Sequence, residues 1–263
     1  MCNHLKIHTA IPQVWLNRCM RWIYLSPHLD DAALSAGGLI YDQAQAGTLV
    51  EIWTIMCGFP PEGEYSQFAQ MQHYLWGFPS AEEAVRARRE EDRRAAEILG
   101  ARAVHLEFLD CIYRRGSNGE WLYSDISIPP HPQDADLPGR IAQTISALLK
   151  PDDTLVCQLA IGSHVDHVLV RQAAEQLGWP LLYDIDIPYF FANPKELEQK
   201  SAGMQETLRP VTDAGLKAWQ EAVLEYKSQL PLFGEFMYTP EKACQALQSY
   251  RDQEGGIRLL QLG

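Results

Sequence analysis

The sequence is short of positive charge. Its 22 Lys and Arg stand against 34 Asp and Glu, a formal net charge of -12. Such a chain repels a nucleic-acid backbone or an anionic membrane surface, so neither is expected as its main partner. A small anionic substrate held by a few Arg side chains stays within reach. Long apolar runs are missing too. None approaches the roughly 20 residues that span a bilayer, and Met1 to Arg21 holds no continuous apolar stretch of the kind a secretory signal needs. The six Cys, at positions 2, 19, 57, 111, 157 and 244, form no Cys-x-x-Cys pair. Cys57, Cys111 and Cys157 sit in or beside apolar runs, where buried free thiols are common. The expectation is a reduced, cytoplasmic protein with no transmembrane segment.

What is present is a strand-helix alternation. At 263 residues and 46% hydrophobic content the chain suffices for one large α/β domain, or one domain with an appendage. Strand-like runs fall at Trp22–Leu25, Val50–Met56, Val104–Phe108, Leu155–Leu159 and Leu181–Asp184. Helix-like segments lie between them, at Ala32–Gln45, Ala81–Leu99, Leu137–Leu149 and Val165–Leu177, with Gly47, Gly100 and Gly178 placed to end three of them. This order predicts a Rossmann-like three-layer sandwich with a mostly parallel sheet, and a ligand site beyond the C-terminal ends of the strands. Three stretches break the rhythm. Residues 58–80 are aromatic and irregular, and predict a loop with a short helix near the site mouth; a satellite hydrophobic cluster under a long loop explains them equally well. Residues 112–136, rich in Gly, Pro and Asp, read as a surface excursion. Residues 212–229 read as an amphipathic helix. The whole of 1–263 is taken as a single domain, with a core over about 20–195 and a C-terminal helical cap over 196–263.

Two clusters carry the chemistry. Ser26-Pro27-His28-Leu29-Asp30-Asp31 follows the first strand, and His164-Val165-Asp166-His167 follows the fourth. His28 and Asp31 share one face of a helix-like turn and can ligate one ion, and His167 can complete the set, leaving a position for water. Zn²⁺ suits such an all-N/O site, and it lowers the pKa of a bound water to roughly 7. Asp30 can then take the proton as base and hand it to a leaving amine. A protonated His164 can donate to the oxyanion of a tetrahedral intermediate. Asp166 can orient one of the imidazoles. Each cluster alone has a plainer explanation: Asp30 or Asp31 can cap the helix that starts at Ala32. The joint occurrence favours a metal site.

The motifs resemble a known family. Ser-Pro-His-Leu-Asp-Asp followed by Ser35-Ala36-Gly37-Gly38, then Gly162-Ser163-His164-Val165-Asp166-His167, is similar to the LmbE-like/PIG-L family of zinc-dependent N-acetylglucosamine-type deacetylases. Arg88-Arg89-Glu90-Glu91 running to Leu99-Gly100, the strand ending in Asp110, and Tyr226-x-Ser228-Gln229 fall in the family's order. The resemblance implies a hydrolase that removes an N-acetyl group from an amino-sugar conjugate. It implies His28, Asp31 and His167 as zinc ligands, Asp30 as base, and His164 as the oxyanion or leaving-group partner. It also implies Arg88 and Asp110 as holders of substrate hydroxyls, and a homo-oligomer as a partner state. The plainer explanation of Arg88 is a solvated helix face on which Glu91 pairs with Arg94. Two positions depart from the family's His-Pro-Asp-Asp-Glu motif: Leu29 stands for Pro and Ala32 for Glu. Two other functions compete. One is a non-catalytic sugar- or metal-binding module on the same fold. The other is a Ser hydrolase using Ser35 or Ser163 with His164, although no Gly-x-Ser-x-Gly elbow occurs.

Overall fold

The structure, a computed structural model, describes residues 20–263. The strands are β1 (Arg21–Ser26), β2 (Leu49–Thr54), β3 (Arg102–His105), β4 (Thr154–Gln158), β5 (Leu181–Asp184), β6 (Met204–Arg209) and β7 (Ile257–Leu262). The helices are α1 (Asp31–Gln45), α2 (Gln67–Trp76), α3 (Ala81–Ile98), α4 (Leu137–Leu148), α5 (Val165–Gln176), α6 (Tyr189–Ala192), α7 (Pro194–Lys200), α8 (Asp213–Val223) and α9 (Pro240–Glu254). One seven-stranded sheet runs in the order β3-β2-β1-β4-β5-β7-β6. The strands from β3 to β5 are parallel, while β7 runs antiparallel to β5 and to β6.

Alternation along each strand separates two cores. Ile23 and Leu25 of β1 and Leu155 and Cys157 of β4 join the layer that holds Ile141 and Ile145 of α4 and Leu169 of α5. Tyr24 and Val156 join the opposite layer, with Leu34 and Ile40 of α1, Ala95 and Ala96 of α3, and Trp219 of α8. Both faces are covered, which is why β1 and β4 are near-continuous apolar runs. The Rossmann-like expectation holds. Chain order turns at β1, which has β2 on one side and β4 on the other. A crevice opens where neighbouring strands lead off in opposite directions, and both His/Asp clusters follow these two strands.

Three expectations need correction. The segment 196–263 is not only a helical cap, because β6 and β7 extend the sheet. β6 hides from sequence reading because it is an edge strand exposed along nearly its whole length, so it carries no apolar alternation. The helix expected over 212–229 ends at Val223, and Tyr226 to Gln229 lie in the turns beyond it. The stretch 112–136 is no mere surface excursion: Ile112, Tyr113, Arg114, Leu122, Tyr123 and Asp134 are buried. Residues 58–80 do contain a short helix, α2. Cys57, Cys111 and Cys157 are free and buried, while Cys2 and Cys19 lie outside the described residues. No helix among the described residues is long and apolar enough to cross a membrane.

Candidate active site

The turn after β1 decides the role of each carboxylate. Ser26 Oγ accepts the Ala32 N–H (3.0 Å) and donates to the His28 carbonyl (2.7 Å), so a serine caps α1. Asp31 Oδ2 accepts the His28 N–H at 2.7 Å, which fixes that carboxylate under the turn. Asp30 makes no capping bond. Its carboxylate faces the pocket, 3.8 Å from Arg88 Nη2. The capping explanation therefore fails for Asp30.

Two imidazoles converge on Asp31. His28 Nδ1 lies 3.4 Å and His167 Nε2 lies 3.3 Å from Asp31 Oδ2. The far nitrogen of each ring is held by a carboxylate: His28 Nε2 by Asp166 Oδ2 and His167 Nδ1 by Asp186 Oδ1, both at 3.0 Å. Such carboxylates fix the ring and its tautomer, as they do around metal-ligating histidines. His167 Nε2 is fully buried with no hydrogen-bond partner. The three atoms are of the imidazole and carboxylate kinds that Zn²⁺ takes. Electrostatics agree with that fit. Burial opposes charge on both rings, but hydrogen bonds to Asp166 and Asp31 raise His28 well above the ordinary histidine range. The Asp31 charge, with the hydrogen bond to Asp186, lifts His167 to about 9. In the metal-free chain two protons balance the carboxylates, and one divalent cation carries the same charge. His164 also brings a ring nitrogen within 4.8 Å of nitrogens on His28 and His167.

His164 itself is better placed as a neutral donor than as an imidazolium. Its Nδ1 accepts the Asp166 N–H at 3.1 Å, which leaves the ring proton on Nε2. Burial, then the charges of His28 and His167, push it well below the usual histidine value. The expectation of a protonated His164 is corrected accordingly. Burial, reinforced by the Asp31 charge, raises Asp30 to about 7, near the value suited to a base at neutral pH.

Arg88 and Asp110 both line the same cavity of about 510 Å³. Arg88 is buried, its guanidinium stacked 4.5 Å over Trp76, and its Nε has no partner. The solvated-face explanation of Arg88 fails, and so does the Glu91–Arg94 pair. Glu91 instead accepts from Ser228 N (3.0 Å) and Ser228 Oγ (2.6 Å), while Arg94 pairs with Glu90 and Glu225. That contact ties α3 to the Tyr226-x-Ser228-Gln229 segment and brings Gln229 to the pocket wall. Asp110 Oδ2 lies 3.8 Å from His28 Nε2.

Sequence reasoning missed three contributors. Asp186 follows β5 just as Asp110 follows β3, and a carboxylate past a strand end was the available signal. Arg114 holds Asp166, with Nη1 2.6 Å from Oδ1, and its Nε donates to Asp134 Oδ2 at 2.7 Å. Its charge helps hold Asp166 below the ordinary carboxylate range despite burial. No local pattern marks Arg114. The third is Trp76, the platform under Arg88. The serine-hydrolase alternative also loses its candidates. Ser35 is buried, accepting from Gln158 Nε2 and Ile187 N, and Ser163 donates to Glu196, not to His164.

Fold and site together define a pocket of convergent imidazoles and carboxylates at the topological switch point of a mostly parallel α/β sheet. Comparison with known proteins gives the family: residues 23–177 match the PIG-L, GlcNAc-PI de-N-acetylase family, and the chain belongs to it. It is therefore an N-deacetylase by family. A 2'-N-acetylparomamine deacetylase of Niallia circulans is 32% identical over 81% of this chain and 82% of its own length. A crystallised deacetylase of the teicoplanin biosynthesis pathway superposes with a TM-score of 0.78 at 28% identity, over 92% of this chain and 97% of its own. A structure described as the zinc-inhibited form of teicoplanin deacetylase Orf2 matches equally well, with a TM-score of 0.78 at 27% identity and the same coverage.

Proposed function

We propose that this protein hydrolyses the N-acetyl group of an amino-sugar conjugate, with Zn²⁺ held by His28 Nδ1, Asp31 Oδ2 and His167 Nε2. One observation carries the reading. A carboxylate free of backbone bonds, Asp30, faces the cavity beside two imidazole nitrogens that meet at Asp31 Oδ2. When bound, the ion lowers the pKa of a water molecule to about 7 and polarises an amide carbonyl.

The chain's own residues do the rest. Asp30 accepts the proton of the attacking water as its oxygen bonds to the acetyl carbon. His164 donates Nε2–H to the oxygen that gains negative charge. Asp30 then returns the proton to the departing nitrogen, the C–N bond breaks, and acetic acid and a primary amine leave. Arg88, with its unpartnered Nε, and Asp110 hold hydroxyl groups of the sugar. Asp166 and Asp186 keep His28 and His167 oriented.

The test pairs metal content with amine release. Purified protein should carry about one Zn²⁺ per chain, and His167→Ala should lose it. Because one relative has been described in a zinc-inhibited form, activity on N-acetylglucosaminides is read from substoichiometric to excess Zn²⁺, with Co²⁺ and Fe²⁺ in parallel. Metal bound at this site with no amine release at any loading would favour a non-catalytic binding module. Absence of metal in the wild type after Zn²⁺ is supplied would remove the mechanism at its first step.

A further inference from the structure

The cavity has two chemically distinct ends. Its inner end presents His28, Asp30, Arg88, Asp110 and His164; its outer wall is apolar. Leu75 of α2 comes from one side, and Leu232 and Phe236 from the segment after Gln229 come from the other. These side chains line the cavity yet stay 43%, 37% and 44% exposed. Single exposed apolar residues are ordinary on a protein surface. Three that line one pocket from two segments form a patch of the kind that binds something.

Both walls are tied to the framework. His73 of α2 hydrogen-bonds through Nε2 to the Tyr113 hydroxyl at 2.7 Å. The opposite segment is anchored through Ser228 to Glu91. Charge narrows the occupant. The carboxylates lining the cavity are Asp30, Asp31, Asp110 and Glu235. Asp30 faces Arg88, Asp31 faces two imidazoles, and Asp110 accepts from Ile112 N. Only Glu235 remains at the rim, and it is solvent-exposed, so it offers a cation a weak, screened contact. A cationic aglycone gains little here, whereas an apolar one desolvates three side chains. Phe236 also borders a second groove of about 550 Å³, where Phe190, Phe191 and Tyr250 stand beside Glu235, Lys242 and Glu254.

Resting on the deacetylase reading, we propose that the substrate is an N-acetylamino sugar carrying an uncharged, apolar aglycone that seats against Leu75, Leu232 and Phe236. The test uses the zinc-loaded protein and three 2-acetamido-2-deoxy-β-D-glucopyranosides, with methyl, hexyl and 6-aminohexyl aglycones. Binding is measured by calorimetry and amine release in parallel. The hexyl glycoside should bind about ten-fold tighter than the methyl and 6-aminohexyl compounds, less than burial of two methylenes would supply. The double variant Leu75→Ser, Phe236→Ser should lose that preference while keeping its zinc. Equal affinities, a 6-aminohexyl preference, or no hexyl binding would overturn the proposal. A dimer by sedimentation that the double variant splits, with no hexyl preference, would overturn it by making the rim a contact between copies. A hexyl preference in binding without amine release from any glycoside would sink the deacetylase reading and leave this one standing.

Discussion

Neighbouring carboxylates in this chain differ in role because different backbone groups reach them. Asp31 is claimed by the His28 N–H and by two imidazoles, while Asp30 makes no capping bond and faces Arg88 at 3.8 Å. Asp30→Asn should therefore keep the metal and lose about 10²- to 10⁴-fold in kcat; elemental analysis beside amine-release kinetics checks both halves, and an active variant would move the base elsewhere. The carboxylates behind the imidazoles make a separate prediction. Asp186→Ala should weaken metal binding by about 10- to 100-fold, read by competition with a chromogenic chelator. An unchanged affinity would show that His167 holds its orientation without Asp186. The metal-free state also sets a pH dependence. His167 is lifted to about 9, so binding at neutral pH must displace its proton. Zinc affinity should then climb as pH rises from neutral toward about 9.

At the scale of elements, the site depends on how tightly α1 is seated, because Asp31 is its first residue. α1 carries Gly37 and Gly38 where α8 crosses it. A Cβ on Gly37 would lie 2.4 Å from Trp219 Cδ1, and one on Gly38 would lie 2.6 Å from Val211 Cγ1. Trp219 is fully buried, and its Nε1 donates to the Leu34 carbonyl at 3.1 Å, so the ring cannot swing aside freely. Alanine favours a helix over glycine by up to about 1 kcal/mol, but overpacking costs about 1–3 kcal/mol. Gly37→Ala should therefore destabilise the protein, as a lower urea midpoint. A rise in that midpoint would show that α8 yields readily. The segment from Cys111 to Asp136 matters at the same scale, since it delivers Arg114 to Asp166 from outside both motifs.

The whole molecule joins at the β1/β4 switch point, where His28 and Asp31 come from one strand's end and His167 from the other's. An ion bound there ties the two together and stabilises the folded chain by mass action, by about 2.7 kcal/mol at a hundredfold excess over its dissociation constant. Chelation should lower the melting temperature, and added Zn²⁺ should restore it. The opposite end of the sheet has its own tie. Arg21 of β1 donates through Nε to Asp153 Oδ1 at 3.0 Å and through Nη1 to Glu51 Oε2 at 3.1 Å. Against the effect of burial, the bond from Arg21 holds Asp153 below its ordinary pKa. A depressed carboxylate stabilises the fold above its unfolded value of about 3.9 and loses that contribution as pH falls through the folded value. Acid unfolding of the metal-free protein should begin at higher pH in Arg21→Gln than in the wild type.

The sequence by itself determined the five parallel strands, the helices between them and the residues at the two motif turns. These follow from period-two and period-3.6 patterning and from donors three positions apart, which are local properties of the chain. It left open whether Asp30 or Asp31 caps α1, because that turned on Ser26 Oγ reaching the Ala32 N–H first. Tertiary structure alone decided that Asp166 would orient His28 rather than a neighbouring imidazole, that Asp186 would hold His167, and that Arg114 and Gln229 would serve the site. His28 and Asp166 are 138 residues apart in sequence, and Glu91 and Ser228 are 137 apart. Contacts of that span exist only once β4 has paired beside β1 and α3 has packed against the C-terminal segment. That strand order is chosen by the burial of two whole sheet faces, which no short stretch of sequence encodes.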